Sequence, residues 1–283
     1  MNKKAFSLVE LSLVLLVIGL LAVAMTKGAS LIDSARISSA RSLTSSSGVN
    51  EIDGISVWYE TTLKDSVAGE DRVNNNPVAY WQDVSSQYNI SQSLNRLTGP
   101  DDSSLVYHSE GIGKLPSILF TSSGKFSLTS LASGGSNLVT IFAVLSPTLS
   151  LGGSKMTFLD SVNTSVDNAI SLNSSSLGID SGGSNFTLTS SFAVSEKYVM
   201  AVYLSQDSKL FVNDVDNSTT SSTAGVTGFD GLRVGTDRNG ANKFTGLISE
   251  VIIYDRLLTS EERRLVMSYL AKKYKIRVEG ASL

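Results

Sequence analysis

The chain of 283 residues contains no cysteine, one histidine and four prolines. Without cysteine it can form no disulfide, thiolate nucleophile or cysteine-ligated metal site. The single imidazole, His108, argues against zinc sites and serine hydrolases, which need several histidines or one beside a nucleophile. No base or metal ligand is near His108 in the sequence, so we expect it to lie in a loop.

Charge is also scarce. Charged residues make up 17% of the chain, and its formal net charge is -3. There is no basic surplus of the kind that binds nucleic acid, so we expect no nucleic-acid partner. Glycine, serine, threonine and asparagine are plentiful instead, which is typical of an all-β extracellular domain with many turns.

Short segments rich in β-branched and aromatic residues follow one another from residue 55 onward. They predict strands over 55–59, 78–81, 117–120, 126–128, 138–145, 156–159, 169–172, 186–188, 197–204, 210–212, 232–234 and 247–254. Thr259 and Glu262 then form a capping-box pattern, which predicts a helix. Its apolar face runs from Leu265 to Tyr274, while Arg263 and Lys273 are expected on or near its polar side, so we predict a surface helix.

The N-terminus differs from the rest of the chain. The basic pair Lys3-Lys4 precedes an apolar run from Phe6 to Met25 that contains one acid, Glu10. About 20 helical residues span roughly 30 Å, the thickness of a bilayer core, so this half of the helix is predicted to cross a membrane. Residues 26–47 carry a thinner apolar stripe, including Leu31 and Ile32, and predict an amphipathic half that packs on a domain.

The stretch from Lys3 through Ser7-Leu8-Val9-Glu10-Leu11 resembles the N-terminus of type IV pilins and of type II secretion pseudopilins. The resemblance implies that a prepilin peptidase cuts between Ala5 and Phe6 and methylates the new amino group. That amine would pair with Glu10 of a neighbouring subunit and set the register of a filament. Ala5 stands where the family usually has glycine, and the proline common after the apolar run is absent.

Two other interpretations of the N-terminus stay open. Lys3-Lys4 and the apolar run also fit a secretory signal peptide, with Ala22-Val23-Ala24 as its cleavage site. A plain membrane anchor is the third interpretation. All three send the remainder of the chain out of the cytoplasm, because the basic end stays inside.

A second resemblance covers residues 54–276. Val57-Trp58-Tyr59, Trp81-Gln82-Asp83 and the segment from Phe244 to Arg256 resemble the concanavalin A-like, laminin G-type jelly roll. The predicted fold is therefore mainly β: a long N-terminal helix, then an antiparallel sandwich with a C-terminal surface helix. The expected divisions are a leader (1–5), assembly helix (6–47, with 6–25 transmembrane), linker (48–53), jelly roll (54–276) and tail (277–283).

Candidate ligand-binding residues lie near the predicted strands. Trp58 and Trp81 could stack on sugars, although tryptophans at strand starts more often belong to the core. Asp83 could bind a ligand or cap a turn by accepting from the backbone two residues on.

A second candidate site lies in the segment that follows strand 232–234. Asp237, Asn239 and Asn242 offer oxygens that suit Ca²⁺, while the Asn239-Gly240 pair fits a turn between strands equally well. Calcium at these residues is the one cofactor that the sequence suggests.

No set of paired carboxylates suits a glycosidase, so we expect a non-enzyme. The leading interpretation is a pilin-like subunit, in a minor or tip position and with a role in adhesion. It would wait in the bacterial inner membrane as a single-pass protein and then enter an extracellular or periplasmic filament, with other pilin subunits as partners and a glycan or surface protein as ligand. The alternatives are a secretion pseudopilin, or a tethered or secreted glycan-binding lectin that does not polymerise.

Overall fold

The structure of this chain is a computed structural model. It describes residues 7–85, 95–100, 102–121, 123–131, 138–148, 155–162, 168–172, 177–181, 184–188, 193, 195–205, 208–218 and 228–278. The predicted processing residues, Ala5 and Phe6, lie outside the described residues.

One long helix precedes the strands and one short helix follows them. Helix α1 spans Leu8–Ser45 and helix α2 spans Ser260–Tyr274. Between them lie the strands β1 Ile55–Glu60, β2 Tyr80–Trp81, β3 Leu97–Thr98, β4 Leu105–His108, β5 Ser117–Phe120, β6 Phe126–Leu128, β7 Val139–Pro147, β8 Met156–Asp160, β9 Ile170–Leu172, β10 Leu177–Ser181, β11 Ser184–Leu188, β12 Tyr198–Leu204, β13 Lys209–Val212, β14 Val215–Asp216, β15 Leu232–Val234 and β16 Gly246–Tyr254. Single 3₁₀ turns occupy Val49–Glu51, Glu70–Arg72 and Ile112–Lys114.

The strands form two antiparallel sheets. The first has the order β14-β13-β12-β7-β16-β5-β4, with β1 also paired to β16. The second has the order β11-β10-β9-β8-β15-β6-β3-β2. Side chains such as Phe120, Phe126, Phe158 and Trp81 fill the space between the sheets and are completely buried. The predicted mainly β sandwich with a C-terminal helix is thereby confirmed.

A second apolar layer covers the outer face of the first sheet. Phe142, Val199 and Tyr254 on that face pack with Val266 and Leu270 of α2. We call this sheet the helix-covered sheet, and the other one the open sheet. Because both faces of the helix-covered sheet are occupied, its strands β1, β7 and β12 are buried at every position.

Helix α2 begins as the sequence predicts. Thr259 accepts a hydrogen bond from the Glu262 backbone N–H, and the Glu262 side chain accepts one from the Thr259 N–H. Two of its basic residues depart from the predicted polar side. Arg263 and Lys273 are buried, because each has a carboxylate partner on the sandwich, Asp214 for the first and Glu60 with Glu250 for the second.

The last turns of α1 contact the sandwich and α2. Ala40 and Thr44 are buried, and the Thr44 hydroxyl lies 3.1 Å from that of Tyr269 in α2. Leu31 and Ile32, predicted on the packing stripe, are 70% and 60% exposed. The amphipathic half therefore docks over a shorter length than its apolar pattern suggests.

The predicted membrane crossing and inner-membrane localisation are wrong. A crossing helix needs about 20 consecutive, predominantly apolar residues. Among the residues that the structure describes, no helix combines that length with that apolar character.

A cluster of buried charges joins α2 to the sandwich. The Lys273 ammonium donates to Glu60, Glu250 and the hydroxyl of Tyr269, at 3.0, 2.8 and 3.1 Å. Trp58 Nε1 and the Tyr274 hydroxyl also donate to Glu250, at 2.7 and 2.8 Å. Hydrogen bonds and opposite charge together satisfy these groups, which makes their burial tolerable.

A candidate ligand-binding face

The outer face of the open sheet is partly exposed at strands β2, β3, β6 and β15. Strands β6 and β15 each place one partly exposed residue, Ser127 and Arg233, between two buried core residues. Strands β2 and β3 each present one exposed residue, Tyr80 and Thr98. Successive side chains of a strand point to opposite faces, so all four project away from the inter-sheet core.

Strand register aligns these residues. Tyr80 is paired with Thr98, Thr98 with Ser127, Ser127 with Arg233, and Arg233 with Asp160. We call these five residues the cross-strand row. Neighbouring strands lie about 4.8 Å apart, so the row extends roughly 14 Å from Arg233 to Tyr80. The row is polar throughout except for one aromatic ring.

Exposure rises along the row. Asp160 is completely buried, Arg233 and Ser127 are half-buried, and Thr98 and Tyr80 are exposed. The face thus passes from a closed end at β8 to an open end at β2. A ligand lying along it would be enclosed at one end and solvated at the other.

Tyr80 supplies the aromatic surface at the open end. Its side chain is 40% exposed, and the guanidinium carbon of Arg96 lies 4.2 Å from the ring centroid. A cation at this distance is attracted to the face of the ring. The pair presents an amphipathic surface of the type that stacks on a sugar ring while a charged group donates hydrogen bonds.

Asp160 lies at the other, buried end of the row, and both of its carboxylate oxygens accept hydrogen bonds. Its Oδ1 accepts from the backbone N–H groups of Ser161 and Asn168 at 2.7 and 3.3 Å, and its Oδ2 accepts from that of Arg238 at 2.8 Å. Burial raises the pKa of this carboxyl above its ordinary value, although these hydrogen bonds oppose the shift. Asp160 therefore organises the loops around it.

Arg233, between Asp160 and Ser127, is the cation of the closed end. Its Nε atom is buried and has no hydrogen-bond partner among the described residues. Buried polar atoms are normally paired, so the protein leaves this nitrogen unsatisfied, and the half-buried Arg233 side chain keeps hydrogen-bonding capacity on the outer face of the sheet.

Comparison with protein families identifies the family of the chain. A profile of the concanavalin A-like lectin/glucanases superfamily, of the laminin G type, matches residues 118–262, just over half of the chain. The chain belongs to the concanavalin A-like lectin/glucanases superfamily. No curated protein matched the sequence.

Solved structures share the fold of this superfamily member at low identity. Domain 4 of AbnA, an arabinanase from Geobacillus stearothermophilus solved with arabinotriose, matches 75% of the chain and 97% of itself, with a TM-score of 0.50 and 15% identity. The ligand-binding domain of botulinum neurotoxin serotype D, solved with N-acetylneuraminic acid, matches 78% of the chain and 52% of itself, with a TM-score of 0.54 and 11% identity. The binding domain of Paraclostridial Mosquitocidal Protein 1 matches 79% and 53%, with a TM-score of 0.53 and 14% identity.

The structure of this superfamily member buries the two tryptophans that the sequence offered as sugar platforms. Trp58 is 2% exposed and donates to Glu250, whereas Trp81 is completely buried and donates to the Glu60 carbonyl at 2.7 Å. Neither indole has a free ring face for a ligand. The core alternative describes both residues, because each indole N–H finds an acceptor inside the sandwich.

Asp83 is likewise an internal residue. Its Oδ1 accepts from the backbone N–H groups of Ser85 and Trp58 at 2.9 and 2.8 Å. The first bond is the turn contact predicted as the alternative to ligand binding, and the second ties the turn to β1. Burial raises the pKa of Asp83 above its ordinary value, against the opposing effect of these hydrogen bonds.

Asp237 and Asn242, two of the three predicted calcium ligands, bond to one another within a tight turn. Asp237 Oδ1 accepts from the backbone N–H groups of Asn239 and Ala241 at 3.1 and 2.7 Å, and its Oδ2 accepts from the Asn242 amide at 2.7 Å. This geometry is that of an Asx turn. No group of three acidic, histidine or cysteine side chains arranged for a metal occurs in the described part of the chain.

Two further predictions concern single residues. Glu10, predicted to bind a neighbour's amino terminus, accepts a hydrogen bond from the Ser7 backbone N–H at 2.8 Å and caps its own helix. His108 is not a loop residue but the last residue of β4, where its Nδ1 is buried without a partner among the described residues.

Sequence reasoning missed the residues of the cross-strand row. Tyr80 stands beside Trp81, and alternation on a strand makes one face inward if the other faces outward. Had Trp81 been assigned firmly to the core, Tyr80 would have followed as the exposed aromatic. Arg233, between two apolar residues of a three-residue strand, carried the same signal.

Proposed function

We propose that this superfamily member binds a glycan along the cross-strand row. The observation that carries the proposal is the exposed ring of Tyr80 in contact with Arg96, at the open end of a polar row on the open sheet. An aromatic surface with a few aimed polar groups is how proteins orient sugars and other small ligands. That two structures of similar fold hold arabinotriose and N-acetylneuraminic acid supports a sugar as the class of ligand.

The proposed activity is recognition without catalysis. Glycoside hydrolysis needs two carboxyl groups about 5 to 9.5 Å apart that face the same bond. Within the described residues, the cross-strand row contains a single carboxyl group, that of Asp160, and backbone donors occupy both of its oxygens. Nothing in the row can therefore serve as an acid–base pair.

A glycan array probed with the full chain tests the proposal. Tyr80→Ala should weaken binding of retained glycans by about 3- to 10-fold, since a stacked aromatic contributes roughly 0.5–1.5 kcal/mol beyond its buried area. Ser127→Tyr should weaken it further by filling the middle of the row. Leu265→Ala, which alters an exposed apolar residue on α2, is the matched control. Retention of no glycan, or equal binding by all four proteins, would refute the proposal.

A second candidate function rests on α1, where the side chains from Leu8 to Leu21 have no apolar cover. The exposed ones are Leu8, Val9, Leu11, Leu13, Val14, Leu15, Leu16, Val17, Ile18, Leu20 and Leu21. A helix that is apolar on every side is stable only when something surrounds it. We propose that other copies of this chain do so, as in a pilin-like filament or a secretion pseudopilus, with the sandwich displayed outward.

In such an assembly, Glu10 would set the axial register between neighbouring copies of the chain. Its carboxylate caps Ser7 at the start of α1, one residue after the position that prepilin peptidase would make the amino terminus. A cationic amine on Phe6 of a neighbouring copy would compete for that carboxylate, and an unpaired charge in an apolar bundle is penalised. A misaligned copy would leave both charges without partners.

Sedimentation of the full chain tests assembly. Leu16→Gln with Leu20→Gln, one turn apart on α1, should shift large assemblies toward the monomer, and Glu10→Leu should reduce assembly. Leu265→Gln on α2 is the matched control. Mass spectrometry of the native protein adds an independent reading: N-methylphenylalanine at residue 6 supports the candidate, whereas a chain that begins at Met25 and stays monomeric leaves a lectin that does not polymerise.

A further inference from the structure

We infer that Arg233 binds the carboxylate of an acidic sugar at the closed end of the cross-strand row. The inference rests on the proposed glycan binding and narrows its ligand from any sugar to one that carries a carboxyl group. It starts from an unbalanced charge. Arg233 lies half-buried on β15, and its buried Nε has no hydrogen-bond partner among the described residues.

The acid expected to neutralise Arg233 does not do so. Asp160 is its direct cross-strand partner, and opposite charges in this position ordinarily pair. The described ion pair of Asp160 is instead with Arg238, whose Nη1 lies 3.9 Å from Oδ2. Backbone N–H groups of Ser161, Asn168 and Arg238 take up the same two oxygens. The row thus retains a positive charge beside a carboxylate that is already engaged.

The described members of the row on the other side of Arg233 add no negative charge. On its far side in the row lies Ser127, whose hydroxyl can donate to or accept from a ligand, and beyond it Thr98 offers a second hydroxyl. Arg96 places another cation at the open end, over Tyr80. Two arginines and two hydroxyls on one face complement a ligand that is both anionic and rich in hydroxyl groups.

Arginine geometry favours a carboxylate as the anionic group. The guanidinium presents parallel N–H donors in a planar fork that matches the two oxygens of a carboxylate. Partial burial lowers the local dielectric and strengthens such a contact relative to one in water. With the carboxylate at Arg233, roughly 14 Å of row remain toward Tyr80, which leaves the hydroxyl-bearing rings over Ser127 and Thr98.

Matched ligand pairs test the inference with the full chain. Sialyllactose is compared with the same trisaccharide whose carboxyl group is converted to an amide, and oligogalacturonate with its methyl ester, so that the members of each pair differ only at their carboxyl groups. Wild-type protein should bind at least one acidic member about 10-fold or more tightly than its neutral partner. Which pair responds tells whether a sialic-type or a hexuronic acid is the source of the carboxylate.

Variants of Arg233 then test whether this residue causes the preference for acidic ligands. Arg233→Gln should weaken the acidic ligand by about 10- to 100-fold and leave the neutral one within about 2-fold, while Arg233→Lys should retain part of the preference because charge remains without the fork. Arg264→Gln, an exposed arginine on α2, should bind as wild type does. Urea unfolding midpoints close to that of wild type establish that the variants are folded.

The outcomes separate the inference from the function beneath it. Binding of neutral glycans without any preference for acidic ones overturns the inference and keeps the proposed function. An acidic preference that survives Arg233→Gln also overturns it, because the carboxylate then binds elsewhere. Retention of no glycan of either kind removes the proposed function itself.

Discussion

Lys273 Nζ lies 2.8 Å from Oε2 of Glu250, and both side chains are completely buried. The same ammonium reaches Glu60 at 3.0 Å, so one cation on α2 compensates acids on β16 and β1. Removing it leaves two buried carboxylates without a counter-charge, a change that typically costs about 3–5 kcal/mol. We therefore expect Lys273→Met to lower the free energy of unfolding by about that amount, measured by urea denaturation.

The adjacent residue provides the control for this variant. Lys272 lies on the same helix but is exposed, so Lys272→Met should change the free energy of unfolding by less than about 0.5 kcal/mol. If the two variants lose equal free energy of unfolding, the buried contacts of Lys273 contribute nothing beyond the helix propensity of a lysine.

The charge cluster also predicts a pH dependence. Burial alone would raise the pKa of Glu60, but Lys273 and hydrogen bonds from Thr62 and Leu63 lower it below its ordinary value of 4.5. The stability that Glu60 contributes is therefore fully present above about pH 4.5 and is lost as pH falls through its folded-state pKa.

The contribution of Lys273 to stability depends on pH with the opposite sign. Burial alone would lower the pKa of Lys273, but Glu250 and Glu60 raise it above 10.5. Its contribution is present below pH 10.5 and is lost as pH rises through the folded-state pKa. We expect the stability gap between wild type and Lys273→Met to narrow below about pH 4 and above about pH 10.5, as followed by thermal unfolding. A gap that stays constant from pH 3 to pH 11 would contradict this reasoning.

The sequence predicted most strands because their signals are local. β-branched and aromatic runs such as those of β7 and β16 require no knowledge of the partner strand. The capping box at Thr259 and Glu262 is similarly contained within four residues. These features could be placed to within a few residues without any structure.

Residue roles that depend on distant partners could not be read in this way. Lys273 has the periodicity of a polar-face residue, and only the positions of Glu60, more than two hundred residues away, and Glu250, more than twenty residues away, make it internal. Trp58 looked like a platform because nothing local shows that α2 covers the outer face of β1. The cross-strand row was missed for the same reason, since its members meet only through sheet register.

The cap of α2 predicts a strongly acidic carboxyl. A hydrogen bond from Arg256 is the main reason that the pKa of Glu262 is lowered to about 2, with burial opposing it and Thr259 and the Arg256 charge assisting. We expect Arg256→Gln to return that pKa toward 4.5, as measured by NMR titration. Because the pair lies at the surface and is only partly buried, the loss in stability above pH 4.5 should be only about 0–1 kcal/mol. Arg264→Gln should leave the titration of Glu262 unaltered.

The turn at Asp237 predicts the response to calcium. Both carboxylate oxygens of Asp237 already accept hydrogen bonds, from Asn239, Ala241 and Asn242, and the ion would have to displace these donors. We expect the thermal midpoint to be the same in millimolar Ca²⁺ and in EDTA. Any binding to the folded state would raise the midpoint by mass action, so this comparison is sensitive to a site of modest affinity.

Two variants distinguish a hydrogen-bonded turn from a calcium site. Asp237→Ala removes the acceptor of three hydrogen bonds and should cost about 1–3 kcal/mol with or without the ion. Asn239 takes part in those bonds through its backbone N–H, so Asn239→Ala should cost less than about 0.5 kcal/mol. If the side chains of Asp237 and Asn239 both bound calcium, both variants would lose affinity for the ion. The wild type would then show a rise in its thermal midpoint with calcium, and neither variant would show it. Sensitivity confined to Asp237 is the signature of a carboxylate that folds the loop beside the cross-strand row.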